Sequence, residues 1–236
     1  MLSMAAGTLQ KNHLNMRSHS MGTTTCGSLA LHIMDVGGRL DDFAEKMRRA
    51  FAPAVAAVSQ HLALDEIDIA VYASDSVIPE IGMNAFAEHG NLIRFWLDPK
   101  HPALQKNFDI TFTALLAHEL HHVIRERGPG YGRTLRDSLV SEGLACQFEQ
   151  EVVGQLPPYG MEVLADEVTA RFARIAPQLD GPFSPAWMFG SHEQGIERSF
   201  GYRLGSTLVG QWLRAHTITA AEAVHIETSV IAEHWG

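Results

Sequence analysis

The 236-residue sequence lacks a hydrophobic run long enough to cross a bilayer, which takes about 20 consecutive apolar residues. Basic residues are also scarce: 18 Lys and Arg stand against 27 Asp and Glu, and the net charge is −9. A nucleic-acid groove needs a strongly positive surface, because the phosphate backbone dominates such binding. We therefore expect neither a membrane nor a nucleic acid as a partner.

Cysteine is nearly absent, with Cys26 and Cys146 too far apart for a thiolate metal motif or a disulfide framework. No Gly-x-Ser-x-Gly turn is present to carry a serine nucleophile, and Cys146 has no catalytic partner in the sequence. These absences argue against nucleophilic catalysis. They favour a reduced, cytoplasmic protein.

Residues 1–27 are polar and rich in Met, Ser and Thr, without the apolar centre of a signal peptide. We expect residues 1–27 to form a disordered leader and residues 28–236 to form one domain.

Within that domain, strand patterns come first and helical patterns follow. Strands are predicted at 29–34, 67–72, 81–87 and 92–97. Helices are predicted at 40–61, 107–127, 135–154, 161–176, 199–215 and 219–233, with a loop at 180–195. This order predicts an α+β fold with two parts. The first part, to about residue 127, contains a small mixed sheet and the long helix, and the second part, 134–236, is helical.

The long helix carries the pattern His118-Glu119-x-x-His122. Positions four apart lie on almost the same helix face, so the two imidazoles can hold one zinc ion. Glu119 lies beside them, where it can take a proton from a water that the zinc activates. The helix is expected to start at a cap on Asn107 or Asp109 and to end at the Gly-Pro-Gly of 128–130.

A catalytic zinc site needs a third protein ligand, and the tight Gly and His continuation of some zinc proteases is absent after this motif. Glu142 lies 20 positions after His122 on the next predicted helix. Its neighbours Gly143 and Ala145 are small, which would let this helix approach the first one closely. Three other carboxylates remain alternatives: Asp137, Glu149 and Glu151. Glu149 and Glu151 are expected at surface positions near the end of that helix.

The strings His118-Glu119-Leu-His-His122 and Glu142-Gly-Leu-Ala resemble those of gluzincin metallopeptidases, and more narrowly of the bacterial YjaZ-like family of predicted zinc-dependent proteases. The similarity runs from about residue 28 to the C-terminus and includes Gly201-Tyr202-x-x-Gly205. The resemblance implies a zincin-like fold and peptide or protein substrates. It also implies one zinc per chain, with His118, His122 and Glu142 as ligands and Glu119 as the general base. In such folds an edge strand beside the cleft binds extended substrate, and 82–86 is the candidate.

Hydrolysis also needs a donor to the oxyanion that develops on the substrate. Tyr202 is the first candidate, since Gly201 and Gly205 are expected to leave space around its ring. His192 is the second and Tyr131 the third. His121, next to the motif, is expected to point away from the metal.

Two other functions compatible with this motif are zinc-dependent hydrolysis of a non-peptide amide or ester and non-catalytic zinc binding in a regulatory protein. A base such as Glu119 has no use in a structural zinc site, which argues against the latter. Oligomeric state is not predicted.

Overall fold

The computed structural model describes residues 23–235. The strands are β1 (Thr23–Cys26), β2 (Leu29–Ile33), β3 (Ile67–Ala73), β4 (Met83–His89) and β5 (Leu92–Leu97). The helices are α1 (Asp41–Ser59), α2 (Pro102–Glu126), α3 (Leu135–Val153), α4 (Ala165–Ile175), α5 (Pro185–Phe189), α6 (Phe200–His216) and α7 (Thr228–Ile231). A sheet followed by helices confirms the predicted α+β class.

The sheet is mixed, with strand order β1-β2-β3-β5-β4. The three central strands run parallel, while β1 and β4 pair antiparallel at the two edges. Along β2 the side chains of Leu29, Leu31 and Ile33 are buried and those between them are partly exposed. This alternation means that the helices cover one face of the sheet, as period-two hydrophobic patterns predict.

Aromatic side chains join α2 to the covered face of the sheet. Phe112 packs against Phe95 of β5 and Phe108 of α2, with ring centroids 5.6 and 5.7 Å apart. Phe108 also meets Phe43 of α1. Phe95 and Phe112 are fully buried, and each such ring contributes roughly 1.5–3 kcal/mol to folding. The helix that carries the motif is therefore fixed in the core and cannot move freely.

The ordered fold begins before residue 28, so the predicted leader is wrong for residues 23–27. Thr23–Cys26 form β1, whose pairing with β2 brings Cys26 opposite Leu29. The polar, threonine-rich composition of this segment had indicated a leader, but threonine is also a good strand former. Residues 1–22 of that leader lie outside the described residues.

Helix α2 starts earlier than predicted, with Pro102 in its first turn, and not at Asn107 or Asp109. Asn107 nonetheless departs from helical geometry at φ −123° and ψ 26°, so the predicted start coincides with an interruption of the helix. Gly130 donates its amide to the Arg125 carbonyl just past the C-terminus. The predicted end at the Gly-Pro-Gly segment is confirmed.

Two predicted segments differ in the second half of the chain. The predicted helix 219–233 is a 3-10 turn at Glu222–His225 followed by α7. The buried Arg125 guanidinium donates hydrogen bonds to the carbonyls of Val224 and Ile226, so these carbonyls do not accept the bonds of a continuous helix. The predicted loop at 180–195 contains α5, which the Ser184 side chain caps. Among the described residues, none of the helices is both long enough and apolar enough to span a membrane.

Candidate metal centre and active site

Helices α2 and α3 bring three donor atoms together. The Nε2 atoms of His118 and His122 lie 3.0 and 3.4 Å from Oε2 of Glu142. All three residues are buried: the exposed fraction of the surface is 4% for His118, 6% for His122 and 6% for Glu142. Their ligand atoms lie within 4.8 Å of one another, so one ion can reach all three.

This donor set fits zinc. Zinc–nitrogen and zinc–oxygen bonds of about 2.1 Å in a tetrahedral site put neighbouring ligand atoms about 3.4 Å apart. The two distances between imidazole nitrogen and carboxylate oxygen, 3.0 and 3.4 Å, lie close to that value. Burial opposes ionisation, but the facing imidazoles hold the pKa of Glu142 well below its usual range, so an anionic ligand is ready for the metal.

Glu119 lies in the same cleft and bonds to the edge strand. Its Oε2 accepts a hydrogen bond of 2.7 Å from the amide of Ala87 in β4. Burial raises the pKa of Glu119, although the imidazoles of His118 and His122 pull it down. A raised pKa brings the carboxylate closer to the range in which a general base works well.

A cleft of about 560 Å³ opens above these residues. Strand β4, which is an edge of the described sheet, lines this cleft together with the segments around Tyr131, Phe183 and Tyr202. The amides of Ala85 and Ala87 point away from β5, since they bond to the side chains of Asn84 and Glu119. The prediction that 82–86 lies at a sheet edge is confirmed for Met83 onward.

Two of the three candidate oxyanion donors lie in the cleft. The Tyr131 hydroxyl donates to Oε1 of Glu142, and the Tyr202 hydroxyl also reaches the Glu142 carboxylate. Burial and the nearby carboxylates raise the pKa of both phenols well above the usual value. Both hydroxyls therefore keep their protons near neutral pH and can donate. His192 is exposed on the turn after α5 and does not line the cleft, so the structure does not bring it to the site.

Glu149 is buried and contacts His118, contrary to the expectation of a surface position near the helix end. Its Oε1 lies 2.7 Å from Nδ1 of His118 and accepts a second bond of 2.7 Å from the Tyr159 hydroxyl. Carboxylates of this kind orient a ligand imidazole and fix which nitrogen carries the proton. The sequence held the signal, because Glu149 follows Glu142 by two helical turns and faces the same side.

His118 thus lies between two carboxylates. Burial by itself lowers its pKa, but hydrogen bonds with Cys146 and the two carboxylates outweigh this and raise the pKa well above the usual value. A ring protonated on both nitrogens can donate to both carboxylates. A cation at Nε2 would take the place of one of those protons.

The other two rivals for the third ligand stabilise the backbone elsewhere. Asp137 forms a capping box with Thr134 at the start of α3. Glu151 accepts hydrogen bonds from the amides of Ala220 and Ala221. His121 points away from the cleft, as expected, and its Nε2 contacts the Ala220 carbonyl at 3.2 Å.

The small residues near the site serve a different contact from the one expected. A Cβ atom on Gly143 would lie 2.5 Å from the Gly205 carbonyl oxygen, and one on Gly205 would strike the Leu139 backbone. Gly143 therefore lets α3 approach α6, and the approach of α3 to α2 does not depend on it. Gly201 packs against Met188. The expectation that Gly201 and Gly205 leave space around the Tyr202 ring is wrong.

His118, Cys146 and Glu149 form a second group of side chains whose donor atoms lie close enough to hold a metal ion. Burial raises the pKa of the Cys146 thiol to about 12, so the thiolate that a metal needs does not form readily. Neither Cys146 nor Glu149 lines the cleft beside Glu119. Among the described residues, only the group with His122 and Glu142 combines good donors with access to substrate.

A family model described as "Predicted Zn-dependent protease (DUF2268)" matches residues 45–233. The chain belongs to this family. The resemblance to a family of predicted zinc-dependent proteases is thereby confirmed. All the site residues lie within the part that matches this predicted zinc-dependent protease family, whereas β1, β2 and the start of α1 precede it. A comparison with curated proteins found no match.

Proposed function

We propose that this protein is a zinc-dependent peptidase in which His118, His122 and Glu142 hold one zinc ion and Glu119 is the general base. The observation that supports this most is the convergence of two imidazole nitrogens and a carboxylate oxygen at the floor of an open cleft. Zinc sites with three protein ligands and an open position are catalytic, while structural sites are closed by four.

Zinc, when bound, lowers the pKa of a water molecule to roughly 7 and polarises the substrate carbonyl. Glu119 takes the proton from the attacking water and returns it to the leaving amine. Tyr202 donates to the carbonyl oxygen as it gains negative charge. Tyr131, which donates to Glu142, keeps that carboxylate turned toward the two imidazoles.

The substrate is a peptide segment in extended form. Strand β4 offers outward-facing amides at Ala85 and Ala87 beside Glu119, and an extended peptide can pair with such an edge. In the structure these two amides donate to the side chains of Asn84 and Glu119. A bound peptide would replace these hydrogen bonds with its own. The cytoplasmic location and the absence of nucleic-acid partners remain predictions from composition.

The test measures zinc content and peptide cleavage by the purified chain. Close to one zinc per chain is expected, with cleavage of a peptide library that a chelator stops and added zinc restores. His118→Ala or His122→Ala should lose the zinc, whereas the exposed His192→Ala should keep it. Retention of full zinc by both ligand variants would overturn the metal site.

The base is tested separately from the metal. Glu119→Gln keeps the size of the side chain, so zinc should stay bound while cleavage falls by orders of magnitude. Glu193→Gln, on an exposed turn, is the matched control and should cleave normally. A zinc-loaded parent that cleaves no peptide would favour a non-peptide substrate or a non-catalytic role instead.

A further inference from the structure

The cleft contains the exposed phenylalanines of the described chain. Of the 11 phenylalanines, only Phe86, Phe183 and Phe189 are exposed, at 52, 43 and 53%. All three line the cleft that also holds Glu119 and the proposed ligands. Large apolar side chains are normally buried, and an exposed group of them marks a surface that binds something apolar.

Phe183 and Phe189 form a continuous wall with Tyr202. The ring of Phe189 stacks on that of Tyr202 at 6.0 Å, and the ring of Phe183 meets Phe189 edge-on at 6.1 Å. Phe189 lines this cleft and also a second cavity, and Glu119, His118 and Tyr202 line both of them. The wall is therefore continuous with the place where the reaction would occur.

Backbone contacts hold this aromatic wall in place. The Phe183 amide donates to the Arg133 carbonyl, and the Phe189 carbonyl accepts from the Ser199 amide at 2.9 Å. Between these two residues in the sequence, the Ser184 side chain caps the start of α5. A pocket that is already formed binds with less loss of conformational freedom than one that must be ordered.

The position of the aromatic wall indicates which part of a peptide substrate it would contact. A peptide strand beside β4 presents alternate side chains to opposite faces of the sheet. Phe183 and Phe189 line the same cleft as β4 and Glu119. One side chain close to the bond that is cleaved would then lie on Phe183 and Phe189. Arg133 and Glu126 are exposed and line the same cleft, so it combines an apolar surface with a few charged groups.

We propose that Phe183 and Phe189 form a subsite for a large apolar side chain, aromatic or aliphatic, next to the scissile bond of the peptide substrate. This inference rests on the proposed peptidase function and adds its substrate class. The side-chain ring or branch packs on the two phenylalanines, while the main chain pairs with β4.

The test uses the zinc-loaded full chain and two peptides that differ at one position beside the cleaved bond, Phe in one and Ser in the other. A peptide library, with cleavage sites read by mass spectrometry, defines that position first. The Phe peptide should have the higher kcat/KM. Phe189→Ala and Phe183→Ala should each reduce that preference roughly tenfold or more, with zinc content unchanged.

Phe189→Leu keeps an apolar surface and should retain most of the preference. Leu164→Ala, at an exposed apolar residue that does not line the cleft, is the control and should behave as the parent. A library cleaved with no enrichment of large apolar residues would overturn the subsite while the peptidase function stood. Equal losses for both peptides in Phe189→Ala would overturn it as well.

If the parent cleaves nothing, the proposed function fails, and binding decides the subsite. Fluorescence anisotropy of labelled Phe and Ser peptides is then measured on the zinc-loaded Glu119→Gln protein. Tighter binding of the Phe peptide that Phe189→Ala removes supports the subsite. Equal binding of both peptides, or no binding of either, rejects it.

Discussion

Glu149 acts on the proposed metal centre through another side chain. It contacts Nδ1 of His118 and leaves Nε2 facing Glu142, so it selects the imidazole tautomer that presents a lone pair to a metal. The Tyr159 hydroxyl holds the carboxylate from its other side. Two buried groups thus fix the orientation of one proposed ligand.

Replacing Glu149 with Gln should weaken zinc binding without abolishing it. The amide keeps its size, but it is a poorer acceptor for the His118 Nδ1 proton, and losses of this kind cost roughly 10–100-fold in affinity. Competition with a coloured zinc chelator measures the effect. Tyr159→Phe, which removes only the outer hydrogen bond, should have a smaller effect in the same assay. Unchanged affinity in Glu149→Gln would show that the contact does not orient the ligand.

Tyr202 is the proposed oxyanion donor, and its removal should affect turnover more than substrate binding. The negative charge on the oxyanion exists only after attack, so Tyr202→Phe should lower kcat by roughly ten- to a thousandfold with little change in KM. Zinc content should not change. Tyr131→Phe is the comparison. Both hydroxyls reach Glu142, but that of Tyr131 makes a direct hydrogen bond to Oε1, so its loss should weaken zinc binding more than the loss of the Tyr202 hydroxyl. A lowered melting temperature with normal kcat would mark Tyr202 as a packing residue only.

At the scale of elements, the site depends on where α3 lies between two other helices. Glu142 faces α2, whereas the next residue, Gly143, lies against the Gly205 carbonyl of α6. A side chain at position 143 would push the two backbones apart, since neither can move aside. The close approach on one side of α3 therefore sets the position of Glu142 on the other side.

Gly143→Ala should destabilise the protein, although alanine is intrinsically about 1 kcal/mol better than glycine in a helix. Overpacking against a backbone oxygen costs about 1–3 kcal/mol, and that cost should prevail. Urea denaturation measures the free energy of unfolding, and zinc affinity should fall in parallel because Glu142 is adjacent. Gln211→Ala, at an exposed position of α6, should change stability by less than about 0.5 kcal/mol. A Gly143→Ala protein as stable as the parent would contradict this account.

Local patterns sufficed for the elements that carry the proposed ligands. The spacing of His118 and His122 follows from helical geometry, and the helix predicted at 135–154 is α3. Contacts between distant segments were not readable in the same way. The burial of Glu149 depends on Tyr159 and His118, and the aromatic wall depends on how 183–189 folds back onto α6.

Arg125 illustrates the same limit. Paired with Arg127 near a helix end, it is expected to be solvated. In the structure Arg125 is 1% exposed, and its guanidinium donates to Ser141, Thr228 and the carbonyls of Val224 and Ile226. Nothing within the local sequence marks a segment 100 residues away as its partner. The same bonds explain why the last predicted helix is interrupted.

At the scale of the whole molecule, zinc should stabilise the folded state because the proposed ligands come from two helices that share one core. A ligand present at 100 times its Kd and bound only by the folded state adds about 2.7 kcal/mol. For a chain of this length that corresponds to a rise in melting temperature of roughly 5–10 °C. Thermal unfolding with zinc and with chelator measures the difference. His118→Ala should show almost none.

This difference should grow as the pH rises from 6 to 8. The pKa of His118 in the metal-free protein is raised, so its contribution to stability is fully present below pH about 6.5 and is lost as the pH rises through the raised pKa. Zinc must displace the Nε2 proton, so its affinity increases over the same range, by up to about tenfold per pH unit for one proton. Alkaline pH therefore weakens the metal-free form while it strengthens zinc binding, and the two melting curves should separate. A melting difference that is constant, or larger at pH 6, would contradict the assignment of His118 as a ligand held between two carboxylates.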